Sequence, residues 1–280
     1  MRRLPLMIPA GLCLGVSPPA FGQYTLFSPV PRDQMRPMST DRPDVTESPY
    51  TVDAGHFQLE MSFAEWTLRN ADSSSPRVRE WGVAPFLAKA GLLDNVDLQI
   101  GLEPYVWIHT DDPAGGTIAQ GFGDTTVRLK VNLYGNDDTS EHAFAIAAMP
   151  AIKIPTAHPG IGNDQFAFAM IIPAGLGLGH GWDLGAMAEF DLVQAGGTGL
   201  YSVDFVHTAT LGKEFTEAVG AFVEYAGVAN FSHAEPYRAS LNLGAWWQVT
   251  PDLKYDGGVR IGLTDAASAV EIFAGMTVRY

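Results

Sequence analysis

Of 280 residues, 46% are hydrophobic and only 17% charged, with acidic residues outnumbering basic ones by 31 to 17. So little charge on so apolar a chain excludes a disordered protein, and a net charge of −14 leaves no basic footprint for nucleic acid. The one cysteine, Cys13, excludes a disulfide framework or a thiolate metal site, while 30 glycines and abundant aromatics (15 Phe, 9 Tyr, 6 Trp) suit an all-β protein rich in turns.

The chain opens with Arg2 and Arg3, an apolar run over residues 4–16, and Ala20-Phe21-Gly22, which puts small residues where a signal peptidase reads them. Residues 1–22 are expected to be a signal peptide cleaved before Gln23; Pro5 and Pro9 weaken its helix, and a buried N-terminal segment is the competing reading. Leu12 stands before Cys13 where a lipoprotein needs a small residue, which argues against lipid attachment. Beyond residue 22 no run reaches the roughly 18 apolar residues of a membrane helix, since the longest, 143–152 and 166–178, contain Pro150 and Pro173. An exported chain of this kind is periplasmic, secreted or an outer-membrane barrel.

Residues 23–53 show no period and carry Pro29, Pro31, Pro37, Pro43 and Pro49. They read as a periplasmic segment with two possible arrangements: an extended tail, or a plug docked at the barrel mouth or in its lumen with Arg42 meeting lumen acids.

Residues 54–280 alternate apolar and polar side chains in segments of about ten, the period of a strand. Twelve strands are expected near 57–68, 77–89, 96–108, 124–134, 143–154, 165–178, 182–193, 201–213, 219–228, 237–249, 253–264 and 269–280. Thr125, Val127, Leu129, Val131 and Leu133 oppose Asp124, Thr126, Arg128, Lys130 and Asn132. In the second and sixth segments the alternation slips, as a bulge would cause. Short connections (Asp94-Asn95, 179–181, Glu217-Ala218, 250–252) interleave with long polar ones (70–76, 110–122, 156–164, 194–200, 230–236), the arrangement of a transmembrane barrel with tight periplasmic turns and longer outer loops. The connection 135–141 is long for a periplasmic turn and 265–268 short for an outer loop. The last segment runs Val270, Ile272, Ala274, Met276, Val278 to a terminal Tyr280, which resembles the signal read by barrel-assembly machinery. Trp107, Trp182, Tyr201, Tyr225, Trp247 and Tyr255 fall near strand ends or band flanks. A soluble two-sheet sandwich is the alternative for the alternation alone.

These patterns give an all-β, transmembrane antiparallel barrel of about twelve strands with both termini periplasmic. The inward faces would carry Asp97, Glu103, Asp124, Asp183, Glu189, Asp191, Glu224, Asp256 and Glu271 against Arg128, Lys130, Arg238, Lys254, Arg260 and Arg279. Eight strands make a filled barrel and sixteen a clear channel, so twelve leaves both a hydrated pathway and a closed salt-bridge lumen open. For an outer-membrane lipid-modifying enzyme the candidates are Ser232-His233, and His207 five residues after Ser202, with no orienting third group. No histidine pair has metal-ligand spacing, Asp111-Asp112 and Asp137-Asp138 read as solvated loop acids, and Gly121-Phe122-Gly123 precedes a strand rather than a phosphate-binding helix. No metal or cofactor is implied.

Residues 40–60 hold the most specific string: Thr40-Asp41-Arg42-Pro43-Asp44-Val45-Thr46-Glu47-Ser48-Pro49, then Thr51-Val52 and Gly55-His56-Phe57-Gln58-Leu59-Glu60. It resembles the opening of an outer-membrane transporter family named for the meta-pathway of phenol degradation. Gly123-Asp124, Lys153-Ile154-Pro155-Thr156, Val223-Glu224-Tyr225 and Leu263-Thr264-Asp265 match it further, so the resemblance covers residue 40 to the C-terminus. It implies passive passage of small molecules, among them hydrophobic or aromatic ones, with lipopolysaccharide, outer-membrane lipid, assembly machinery and a solute as partners. A closed structural barrel is the remaining alternative.

Overall fold

The computed structural model describes residues 23–71, 76–111, 115–162, 164–194, 201–231 and 235–280. After a short 3₁₀ turn at Arg32–Gln34, fifteen strand segments follow: β1 (Phe57–Arg69), β2 (Val78–Val83), β3 (Phe86–Leu93), β4 (Val96–Leu102), β5 (Tyr105–Thr110), β6 (Thr117–Gly121), β7 (Thr125–Tyr134), β8 (Phe144–Ile154), β9 (Ala167–Gly179), β10 (Trp182–Gln194), β11 (Tyr201–Glu214), β12 (Val219–Asn230), β13 (Arg238–Thr250), β14 (Leu253–Gly262) and β15 (Val270–Arg279). β2 with β3, β4 with β5, and β6 with β7 are halves of single spanning strands, so the described residues form twelve. Each pairs antiparallel with the next, and β1 pairs with β15 to close the barrel.

The reason for closure is visible in the burial pattern, which is inverted relative to a water-soluble sheet. Phe168, Ile172, Phe190, Leu243 and Ile272 are 36–51% exposed on the outer face, whereas Asp97, Gln99 and Lys130 are wholly buried inside. An outer face of this kind is stable against lipid, where a sheet edge would leave backbone N–H and C=O groups unpaired. At the short-turn end Trp182, Trp247 and Tyr255 project outward, and at the other end Trp66, Trp81, Trp107 and Tyr201 do so, two girdles of the kind that mark membrane interfaces. Tyr280 takes part in the closure: its N–H donates to the Phe57 carbonyl at 2.8 Å, and its carbonyl lies 3.0 Å from His56 Nδ1.

Three expectations change. The second strand slips because it is broken at Ala84-Pro85, with Ala84 at φ 55°. The sixth, β9, alternates regularly through its middle; it looks irregular in sequence because its inward residues Ala167, Ala169, Ile171 and Pro173 are apolar too. The loop after the third strand is shorter than 110–122, because Thr117–Gly121 pairs with Tyr105–Thr110 as β6. The long connection at 135–141 also has a cause, since Asn136 and Asp137 bind the N-terminal segment.

Replacing Ile172, midway along β9 on the outer face, by Arg should destabilise the folded barrel by about 2–4 kcal/mol. Denaturant unfolding in lipid vesicles, with inward Ala169→Ser for comparison, measures it.

Candidate functional site: the lumen and its N-terminal insert

Residues 23–56 are docked rather than loose. Leu26 N–H donates to the Leu92 carbonyl and Gly55 N–H to the Gly91 carbonyl, both at 2.9 Å, fixing the segment to the short-turn end of β3. Gly55 (φ 77°) is packed on Pro29, and the Gly91 backbone lies against the Asp53 carbonyl with no room for a Cβ. Between these anchors residues 39–49 turn back inside the barrel. The two limbs are braced by Arg36 Nε donating to Asp53 Oδ1 (2.8 Å), by Ser39 and Ser48 hydroxyls 2.6 Å apart, and by Ser48 N–H donating to Asp41 Oδ1 (2.9 Å).

Two carboxylates, four strands apart round the barrel, hold the turn by its backbone. Glu60 on β1 accepts from the N–H groups of Asp41 (3.0 Å) and Arg42 (3.1 Å). Glu224 on β12 accepts with Oε1 from the Thr46 N–H (2.7 Å) and hydroxyl (2.6 Å), and with Oε2 from Val45 N–H (2.9 Å) and Asn242 Nδ2 (2.6 Å). A Pro-containing turn has no ladder partners of its own, so these acceptors satisfy amides that would otherwise be buried unpaired. Side chains add an ionic layer. Asp41 meets Lys130 at 2.6 Å and also Lys89, which in turn contacts Glu60. Arg42 reaches Asp256 with two nitrogens (2.7 and 3.3 Å) and donates to Ser62 (2.5 Å), occupying the space a Cβ at Gly275 would need. Glu47 pairs with Arg128 at 2.5 Å, and Lys254 donates to Thr40 at 2.7 Å. Burial opposes the charge of Asp41, yet Lys130 and Lys89 hold its carboxyl well below the usual range. Burial pushes Glu47 up to about 7 against the pull of Arg128.

The insert divides the lumen. On the long-loop side lies a cavity of about 640 Å³ whose walls include Glu65, Glu80, Glu103 and Asp124; on the short-turn side lies one of about 600 Å³ bounded by Tyr50, Asp183 and Trp246. Arg42 and Glu47 line both, so the turn is the partition between them. The lumen wall is also two-sided. β8–β11 present Met149, Ile171, Met187, Ala151, Ala169 and Val206 inward, with Val45 of the insert packed on them, while the charged groups that hold the insert lie on the other strands.

The fifteen charged residues expected in the lumen do not form one track. Asp97, Arg128, Lys130, Glu224, Lys254 and Asp256 bind the insert, Asp97 by accepting from Val52 N–H at 3.0 Å. Arg279 sits at the short-turn mouth with Asp53 (3.4 Å) and Asp252 (2.8 Å), and Arg238 at the opposite end with Asp204 (3.4 Å) and Glu235 (3.7 Å). Glu103 and Asp124 line the upper cavity and Asp183 the lower, while Arg260 pairs with Glu271. Glu189 and Asp191 continue the inward face of β10 beyond Met187. Glu60 and Lys89, central to the insert's grip, escape the sequence reading: Lys89 lies beyond the break of the second strand, and Glu60 stands in the matched string at an inward position of the first. Ser202 faces the lumen and His207 the outside, where its Nε2 is 3.0 Å from the Tyr237 hydroxyl, so they form no catalytic pair. Ser232, His233 and Asp112, like the signal segment 1–22 with Cys13, lie outside the described residues. Asp111 is paired with Arg79 and Asp137 with Arg36.

Fold and lumen together define a transmembrane β-barrel of the outer-membrane class. Residues 40–280 match the family described as "Putative MetA-pathway of phenol degradation", and the chain belongs to that family. The match begins at Thr40, where the insert enters the lumen. Among solved structures it resembles an outer membrane channel from Pseudomonas putida F1, at 10% identity and a TM-score of 0.62 over 86% of this chain and 100% of that one. The NanC porin (7% identity, TM-score 0.48, 79% of this chain and 98% of that one) and the CymD monoaromatic hydrocarbon channel (9%, 0.43, 80% and 87%) are more distant. No curated protein matches it by sequence.

Lys89→Met should leave Asp41 and Glu60 buried without a shared cation and cost about 3–5 kcal/mol, read as a lower unfolding midpoint. For Glu47 the sign of the pH effect follows from its raised value. The docked insert holds a proton that the free segment, near 4.5, has lost, so docking is fully favoured below 4.5 and weakens as pH rises through about 7. Protection of a Met38→Cys thiol from a water-soluble reagent should fall across that window, and Glu47→Gln should flatten the change.

Proposed function

We propose that the protein is an outer-membrane channel for small solutes, held closed by residues 39–49 in this conformation. The observation that carries this is the partition: two cavities on one axis, separated by a turn that is bound through side chains and amides and belongs to no strand. A barrel needing only a solid core would fill that space from its own strands, as eight-stranded barrels do. The exported barrel would be inserted by assembly machinery reading the strand that ends at Tyr280, among lipopolysaccharide and outer-membrane lipid.

The solute class follows from the two-sided wall. A strip of Met149, Ile171 and Met187 facing a charged wall favours a small molecule with an apolar body and few polar groups, as a phenol-like aromatic has. Methionine adapts to aromatic shapes and makes sulfur–aromatic contacts of about 0.3–1.5 kcal/mol. Val45 covers that strip in the docked state, so passage requires the insert to shift.

Reconstituted into liposomes, the protein should speed entry of a phenol-sized aromatic over the protein-free leak more than it speeds a small sugar. Met187→Glu should reduce the aromatic rate several-fold with little effect on the sugar. Deleting residues 23–50 should raise ion conductance. Unchanged conductance with no solute entry would leave the closed structural barrel standing instead.

A further inference from the structure

Four neighbouring strands each carry one extra residue at the same level. On β1 the pairing with β15 shifts between Ser62 and Ala64. The second strand is interrupted by Ala84-Pro85, the third by Glu103-Pro104 and the fourth by residues 122–124. The rungs on either side align: Met61 with Phe86 and Phe86 with Leu102 below, Ala64 with Val83 and Val83 with Tyr105 above. Single bulges are common, but four in line make a continuous fault across a third of the wall.

The fault is bridged unevenly. Ser62 N–H donates to the Pro85 carbonyl (3.0 Å) and Ala84 N–H to Phe63 (3.3 Å), joining the first and second strands. Gly123 N–H donates to the Glu103 carbonyl (2.9 Å), joining the third and fourth. Between the second and third no backbone hydrogen bond spans the gap among the described residues, and Pro85 and Pro104, one on each side, bring no N–H to it. An unpaired stretch of wall is costly in lipid, so its presence between the second and third strands calls for a use.

The upper cavity reaches into this gap. Phe86 and Leu102 belong to the outer face by the ladder, and Leu102 is 37% exposed there, yet both line the cavity together with inward Leu87 and Val106. Outside, the gap is rimmed by Val83 and Tyr105, 43% and 41% exposed, just below the girdle of Trp66, Trp81 and Trp107. It therefore opens toward the apolar zone beneath the outer interface.

We infer that the gap between β2–β3 and β4–β5 is a lateral portal, through which a small neutral aromatic or apolar solute passes between the upper cavity and the bilayer. This rests on the channel reading and adds to it a route through the wall. Such a solute partitions into hydrocarbon more readily than into the charged lower lumen, so the wall is its downhill path.

The test uses Tyr105→Cys at the rim and Leu192→Cys on the outer face of β10, each with Cys13→Ser, labelled after folding and reconstitution with a bulky charged thiol reagent that reductant removes. The unlabelled protein gives the reference rate in the same sample. Labelling at Tyr105→Cys is expected to slow protein-dependent entry of the aromatic at least fivefold, leave sugar entry unchanged and reverse on reduction, while Leu192→Cys has no effect. Equal aromatic rates with both labels overturn the portal and leave the channel intact. Protein-dependent entry of neither solute, before any labelling, overturns the channel reading and the portal with it.

Discussion

A backbone amide or carbonyl in hydrocarbon has no water to turn to, and the rest of this structure follows from that. The sheet closes on itself through β1 and β15, down to the hydrogen bonds between Tyr280 and Phe57. Closure places one side of every strand against lipid and the other in a lumen, so apolar residues are exposed and charged ones buried. In water the same side chains would be arranged the other way round.

Closure creates the second problem, a lumen too wide for strand side chains to fill. The solution is a turn of chain with no ladder partners, accepted by Glu60 and Glu224 and held by Lys89, Lys130 and Asp256. Buried ion pairs are a poor source of stability, because desolvation offsets much of their attraction. Their use here is positional. They fix one short segment between two cavities.

The wall itself is uneven in a related way. β8–β11 form long regular strands with an apolar inner strip, whereas the first spanning strand is bulged and the next three are broken at one level. The regular half gives the lumen its apolar surface; the broken half brings the upper cavity to the outer face. Both depart from simple alternation, one by placing apolar residues on both sides and the other by inserting a residue, and both obscure the sequence pattern for that reason.

The sequence by itself determined the class, the strand number, the alternation of short and long connections and the inward charge on β4, β7, β10 and β12–β15. Period two and turn residues are local properties, legible from neighbours along the chain. The string at Thr40–Pro49 was also legible as specific, and Arg42 as a residue that could meet lumen acids. What that string does was decided only in three dimensions. Its partners lie from 18 to more than 200 residues away, on Glu60, Lys89, Lys130, Glu224 and Asp256, and they converge only once the barrel has closed. The alignment of four bulges is equally invisible in sequence, because register between strands is set by pairing and not by position along the chain.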